Sequence, residues 1–153
     1  MTVRDLRFKS FDGVELEGTL EVPEGGAFDH LVVMSPGIQV DRNEYLNFYG
    51  RLAKYFSDNS VASFRFDWRC HGIDQPRPLT ELTLAGLYND IDNAVGTATK
   101  SINRKAKLSL LAQSFSGGVA ATWASRNEGV LNHTILLAPI LNYIHEYLSL
   151  IHI

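Results

Sequence analysis

Apolar and polar positions change their spacing several times along the 153 residues, and each change marks a new element. Residues 3–9 read as a short strand, and Phe11-Asp12-Gly13 is a turn signal between two runs. Val14, Leu16, Leu20 and Val22 then alternate with Glu15, Glu17, Thr19 and Glu21. That is a half-buried antiparallel strand, interrupted at Gly18 and ended by Pro23 and Gly25-Gly26. Residues 31–34 are continuously apolar, as suits a parallel strand covered on both faces, and Pro36-Gly37 bounds them. Asp41 and Glu44 fit a capping pair for a helix whose apolar side carries Tyr45, Phe48, Tyr49, Leu52 and Phe56. Residues 61–66 read as a second buried strand. Beyond Pro76 and Pro78, Leu84, Leu87, Ile91, Val95 and Ala98 mark an amphipathic helix. Residues 108–112 read as a third buried strand, 117–126 as a helix of small residues and 134–138 as a fourth buried strand.

Two hairpin-like strands are thus followed by a β-α-β-α-β-α-β alternation. The order predicts an α/β fold of three layers, with a mostly parallel sheet and antiparallel N-terminal strands. Crossovers between parallel strands are expected to be right-handed. The length suits one domain with a real core, and no internal repeat or low-complexity block divides it.

Charge and composition narrow the partners. Fourteen Lys and Arg stand against 17 Asp and Glu, a net charge of −3 with no basic stripe, which argues against nucleic acid. No apolar run approaches the roughly 18 residues of a membrane span, and no signal peptide is visible. One cysteine, Cys70, excludes a disulfide framework and favours the cytoplasm. No His/Cys cluster at metal-ligand spacing occurs, nor a phosphate-binding or dinucleotide glycine motif, so no metal and no cofactor are expected.

The chemistry concentrates in Leu108-Ser109-Leu110-Leu111-Ala112-Gln113-Ser114-Phe115-Ser116-Gly117-Gly118. A buried strand runs straight into a serine, and a glycine pair then opens a helix. This is the pattern of a nucleophile elbow, in which small residues two before and two after the serine permit a sharp turn. Ser114, flanked by Ala112 and Ser116, directly follows the strand and is the preferred nucleophile. Ser116, with Ser114 before it and Gly118 after it, is the runner-up. A plain glycine-rich turn between strand and helix is the bland alternative. The Phe115 N–H at the helix start and the Ile38 N–H after Ser35-Pro36-Gly37 are the expected oxyanion donors. Gly117 and Gly118 are expected to let the helix approach the sheet.

With Phe66-Asp67-Trp68-Arg69-Cys70-His71-Gly72 after the second buried strand, these segments resemble the α/β-hydrolase superfamily. Its members often carry an aromatic-Asp-x-Arg-Gly-His-Gly-x-Ser loop there. Asp67, Arg69, His71 and Gly72 match it, whereas Cys70 and Asp74 replace the glycine and serine. The elbow of Ala112, Ser114 and Ser116 resembles that of the acyl-transferase (long-chain acyl-thioesterase) component of bacterial bioluminescence. The resemblance implies an acyl-serine enzyme acting on an ester or thioester, of a small molecule or of acyl carrier protein. A general carboxylesterase or peptidase is the second reading, and a hydrolase-fold binding module without catalysis the third.

The superfamily order is Ser, then acid, then His. After Ser114 come only Glu128, Glu146, His133, His145 and His152. The acid and base are therefore expected to be absent, and the apolar stop at residues 148–153 reads as the end of a partial sequence. On that reading the chain is the N-terminal part of one domain, and its last strand an open edge prone to self-association. Asp67 and Arg69 read as a salt-bridged loop, His71 as structural and Cys70 as inert. Trp68, Phe115 and Ile38 suit an acyl pocket or the core equally.

Overall fold

A computed structural model describes residues 1–72 and 78–143. Six strands of the described residues form one sheet: β1 (Thr2–Lys9), β2 (Glu15–Val22), β3 (His30–Ser35), β4 (Ala62–Phe66), β5 (Lys107–Gln113) and β6 (His133–Leu137). Their order is β1-β2-β4-β3-β5-β6. β1 and β2 join antiparallel, whereas β4, β3, β5 and β6 run parallel. Among the described residues three α-helices follow their strands: α1 (Phe48–Asp58), α2 (Leu84–Ser101) and α3 (Ser116–Arg126).

Connectivity explains the layers. The chain steps from β3 to β4 through α1, then returns past β3 to β5 through α2. Right-handed crossovers in opposite lateral directions put these helices on opposite faces. The period-two side chains of β3 divide accordingly. Val32 and Met34 pack with Leu111 and with Tyr49 and Ala53 of α1. Leu31 and Val33 pack with Phe64 and Leu110, with Leu87, Ile91 and Ala94 of α2, and with Val119 and Trp123 of α3. The lateral reversal leaves a crevice beyond the carboxyl ends of β3 and β5, where open α/β sheets bind ligands.

Gly18, the break in the β2 alternation, has a packing cause. A Cβ there would lie 2.3 Å from the fully buried Phe64 ring, so only glycine fits.

Three expectations need correction. Helix α1 starts at Phe48, not beside Asp41. Glu44, Leu46 and Asn47 all have positive φ, and Tyr45 and Leu46 are exposed and not part of a helical stripe. The Glu44 carboxylate does cap, accepting the Tyr45 N–H at 3.3 Å ahead of the short 3-10 turn Tyr45–Asn47, and its other oxygen is turned inward to a second use, described below. The 134–138 strand, realised as β6, is not buried: His133, Thr134 and Ile135 are exposed, because β6 is the edge of the described sheet. Gly117 and Gly118 make room for a later segment rather than for the sheet. A Cβ on Gly117 would lie 2.4 Å from Pro139 Cβ, and one on Gly118 would lie 2.6 Å from the Tyr143 hydroxyl. Among the described residues, no helix is long and apolar enough to cross a membrane.

Candidate active site

Strand β5 ends at Gln113 and α3 begins at Ser116, so the direction changes within two residues. Ser114 takes the strain, with φ at 53°. A non-glycine residue there costs about 1–3 kcal/mol and persists only when neighbours over-determine it. They do: the Ser114 N–H donates to the Leu137 carbonyl at 2.9 Å. Its own carbonyl accepts from the N–H groups of Gly117 (3.0 Å) and Ile140 (2.9 Å). The Ser114 side chain is half-buried. Ser116 differs. It is fully buried, with Oγ 2.8 Å from the Ser35 carbonyl oxygen and 2.9 Å from that of Gln113, and it accepts the Gln113 N–H at 3.0 Å. Its hydroxyl ties the ends of β3 and β5 together.

Ser35 and Ala112 are register partners, so the loops after β3 and β5 leave the sheet at the same level. Gly37 faces the elbow; a Cβ on it would lie 3.7 Å from Ser114 Cβ. The loop's polar groups are held from several directions. The Ser35 carbonyl accepts from the Tyr49 hydroxyl at 2.9 Å and the Pro36 carbonyl from the Trp68 indole N–H at 2.8 Å. The Gly37 N–H donates to Glu44 Oε1, and the Gln39 N–H donates to His71 Nε2 at 2.8 Å. Between them, the Ile38 N–H has no hydrogen-bond partner among the described residues, and neither does the Phe115 N–H. The buried Tyr49 phenol has its pKa pushed up, first by desolvation and then by the Glu44 charge.

Beneath this loop lie two ion-pair clusters. Asp67, at the end of β4, accepts the Arg42 backbone N–H at 2.6 Å and the Arg42 guanidinium, which also reaches Glu17 at 3.3 Å. Arg69, nearly buried, bonds Asp90 of α2 through Nε (3.0 Å) and Nη2 (2.8 Å), and also bonds Asp12 and Ser10. Both residues hold loops together, as the salt-bridge reading has it.

Desolvation raises the Asp67 carboxyl above the ordinary carboxylate range, with Arg42 opposing it. A carboxyl raised in the native state binds its proton more tightly there than in the unfolded chain. Its contribution to stability therefore falls as pH rises from about 3.9 through the raised value. Arg42→Ala removes the opposing cation and extends this window upward. The variant's urea midpoint is expected to drop more between pH 5 and pH 7 than that of the parent. An equal drop in both proteins would reject the coupling.

The other candidates lie elsewhere. His133 pairs with Ser109 at the amino-terminal end of β5, with its ring stacked on His30, far along the strand from Ser114. Glu128 is exposed in the loop after α3. His145, Glu146 and His152 fall outside the described residues, as does Asp74. Trp68 and Phe115 are core side chains, 1% and 5% exposed, so the alternative of core packing holds for them; Ile38 packs partly against the same cluster. Cys70 is half-buried at positive φ. A hollow of about 370 Å³ beside the loop is lined by Gln39, Val40, Cys70, His71 and Leu79 among others. A larger one, about 450 Å³, lies between α2, α3 and Tyr143. Among the described residues, no group of three or more His, Cys, Asp or Glu is placed to hold a metal.

Sequence reasoning missed the inward role of Glu44, read only as a helix cap, and Asp90, a carboxylate inside the apolar stripe between Leu87 and Ile91. A charge at a core position was the available signal for Asp90. Tyr143, which donates to the Phe115 carbonyl at 2.6 Å and accepts the Val119 N–H at 2.9 Å, carried no local signal.

The family model described as serine aminopeptidase, S33 matches residues 26–152. Among solved structures, the chain is similar to the α/β hydrolase GrgF from Penicillium sp. sh18, at 18% identity and a TM-score of 0.77, covering 99% of this chain and 52% of that one. It is similar to Est1E from Butyrivibrio proteoclasticus, solved with ferulic acid bound, at 20% identity and a TM-score of 0.77, covering 89% and 53%. A thermostable carboxyl esterase from Bacillus coagulans matches at 14% identity and a TM-score of 0.71, covering 89% and 44%. The chain thus spans about half the length of these structures. No curated protein matches its sequence.

Proposed function

The chain belongs to the serine aminopeptidase S33 family of α/β hydrolases, and from that premise we propose that it is a serine hydrolase acting through an acyl-Ser114 intermediate. One observation carries the reading: a half-buried serine at positive φ faces a loop across the β3/β5 crevice, with N–H groups at Ile38 and Phe115 that have no partner among the described residues. Ser114 Oγ attacks an acyl carbonyl and gives up its proton to a general base. The carbonyl oxygen becomes an oxyanion, which the Ile38 and Phe115 N–H groups receive. Collapse expels the alcohol or thiol with a proton and leaves the Ser114 ester. Water or a second acceptor then attacks that ester and restores the hydroxyl. Ser116 keeps the two strand ends in register and takes no part in the bond changes.

Within this class we propose a long-chain acyl ester or thioester as the donor. The support is the likeness of the Ala112-Gln113-Ser114-Phe115-Ser116 elbow to that of the bioluminescence acyl-transferases. The carboxylesterase and peptidase readings are the competing substrate classes.

Labelling the full-length protein with a fluorophosphonate and mapping the adduct tests the mechanism. An adduct on Ser114 is expected. An adduct on Ser116 would move the nucleophile, and a folded protein that takes no label would favour the binding module. Relative kcat/KM for a palmitoyl thioester, p-nitrophenyl acetate and an aminoacyl anilide then separates the substrate classes.

A further inference from the structure

Three consecutive amides of the loop after β3 are treated differently. The Gly37 N–H is taken by Glu44, and the Gln39 N–H is taken by His71 at 2.8 Å. The Ile38 N–H between them has no partner among the described residues. We propose that Glu44 and His71 are positioning residues that clamp the peptide units on either side of Ile38 and so aim its N–H at the acyl oxygen on Ser114. The inference rests on the acyl-serine reading above.

Each clamp shows signs of being built for this purpose. Glu44 is 8% exposed and sits at φ 62°, ψ 173°, a region that side-chain-bearing residues rarely occupy. Its carboxylate lies against Gly37: a Cβ on Gly37 would be 3.2 Å from Oε1. Oε2 is 3.4 Å from the side-chain nitrogen of Gln113, the residue before the elbow. His71 is 6% exposed. Its Nδ1 lies 2.9 Å from the Arg69 carbonyl, to which it donates; that puts the ring proton on Nδ1 and leaves Nε2 as the acceptor that the Gln39 N–H needs. The ring thereby joins the loop after β4 to the loop after β3. Arg69, which anchors it, is itself fixed to α2 through Asp90.

Glu44 acts here as an acceptor and not as a charge. A negative group beside a developing oxyanion repels it, so any benefit comes from how the carboxylate orients the Gly37 amide. A neutral acceptor of the same length should therefore serve. Glu44→Gln keeps an oxygen for the Gly37 N–H while giving up the long contact from the Tyr45 N–H that Oε2 accepts at 3.3 Å, and Glu44→Ala keeps neither.

The test uses the full-length protein, with p-nitrophenyl butyrate as substrate and an aliphatic trifluoromethyl ketone as the tetrahedral analogue. Glu44→Ala and His71→Ala are expected to lower kcat about 10- to 100-fold, because small misplacements of an oxyanion donor are costly. KM should stay within about twofold, and affinity for the ketone should fall in step with kcat. Glu44→Gln should recover most of the loss. Glu44→Gln as poor as Glu44→Ala, or a loss confined to KM, would overturn the proposal. Amide exchange in the parent protein gives an answer even if a variant does not fold. Gly37 and Gln39 should be protected and Ile38 should exchange freely until the ketone binds; protection of Ile38 in the free protein would overturn the proposal. A parent that turns over no ester and takes no ketone would sink the acyl-serine reading itself, whereas an active parent with indifferent variants would sink only the clamps.

Discussion

Ser114→Ala is expected to abolish the acyl-serine adduct and to lower ester hydrolysis by several orders of magnitude, the direction expected when a serine nucleophile is lost. Its effect on stability should be within about 0.5 kcal/mol, because the half-buried hydroxyl anchors no described hydrogen bond and the backbone bonds of residue 114 are unchanged. Ser116→Ala should behave in the opposite sense. Its Oγ is buried among the Ser35 carbonyl and both backbone groups of Gln113. Removing it strands buried polar groups at a cost of about 1–3 kcal/mol. Catalysis should survive, weakened through a looser elbow. Ser114→Gly sharpens the contrast: it abolishes catalysis yet should stabilise the fold by about 1 kcal/mol, since glycine meets no penalty at φ 53°. Urea midpoints and kcat measured on the three variants decide the matter. Activity that survives Ser114→Ala and vanishes in Ser116→Ala would assign the nucleophile to the wrong serine.

The second large effect concerns Asp90. Its carboxylate is fully buried on α2 and receives three hydrogen bonds from Arg69, two from the guanidinium and one from the backbone N–H at 3.1 Å. Asp90→Ala leaves a nearly buried guanidinium whose remaining carboxylate partner among the described residues, Asp12, is at the surface with its side chain 42% exposed. Breaking a buried pair from one side costs about 3–5 kcal/mol, most of it the penalty of the stranded charge. Asp12→Ala should cost less than about 1 kcal/mol, as exposed pairs do. Because the Arg69 carbonyl also anchors His71, Asp90→Ala should slow ester hydrolysis beyond what its lower stability explains. The double change Asp90→Leu with Arg69→Met removes both charges and is expected to regain much of the loss. A double variant as unstable as Asp90→Ala would show that packing, not stranded charge, sets the cost.

Much of this architecture is legible in the chain. The apolar run at 31–34 and the run at 108–112, broken only by Ser109, are parallel strands because both of their faces are covered, and the placement of α1 and α2 on opposite faces follows from handedness once the strand order reverses. The elbow is legible because a buried strand that meets Ala-x-Ser-x-Ser-Gly-Gly has few ways to turn. The residues that hold the site are harder to see. Glu44 reads as a helix cap because Asp41 and Glu44 have capping spacing, and it does accept the Tyr45 N–H ahead of a 3-10 turn, but its long-range bond from the Gly37 N–H leaves no mark in that spacing. β6 reads as buried because its composition is that of an inner strand, and composition does not report whether a neighbour lies beyond it. Asp90 stands in an apolar stripe, and only the fold shows which cation meets it.

The bonds around Ser114 also bear on the order in which the chain becomes ordered. Its kinked backbone is gripped by Leu137 and Ile140, and the next turn of α3 by Tyr143, all of them made after the serine during synthesis. A nascent chain that has released residue 120 but not residue 143 holds the strand and the serine without the contacts that enforce the bend. The bend at Ser114 is therefore completed late, when its downstream brace has been made.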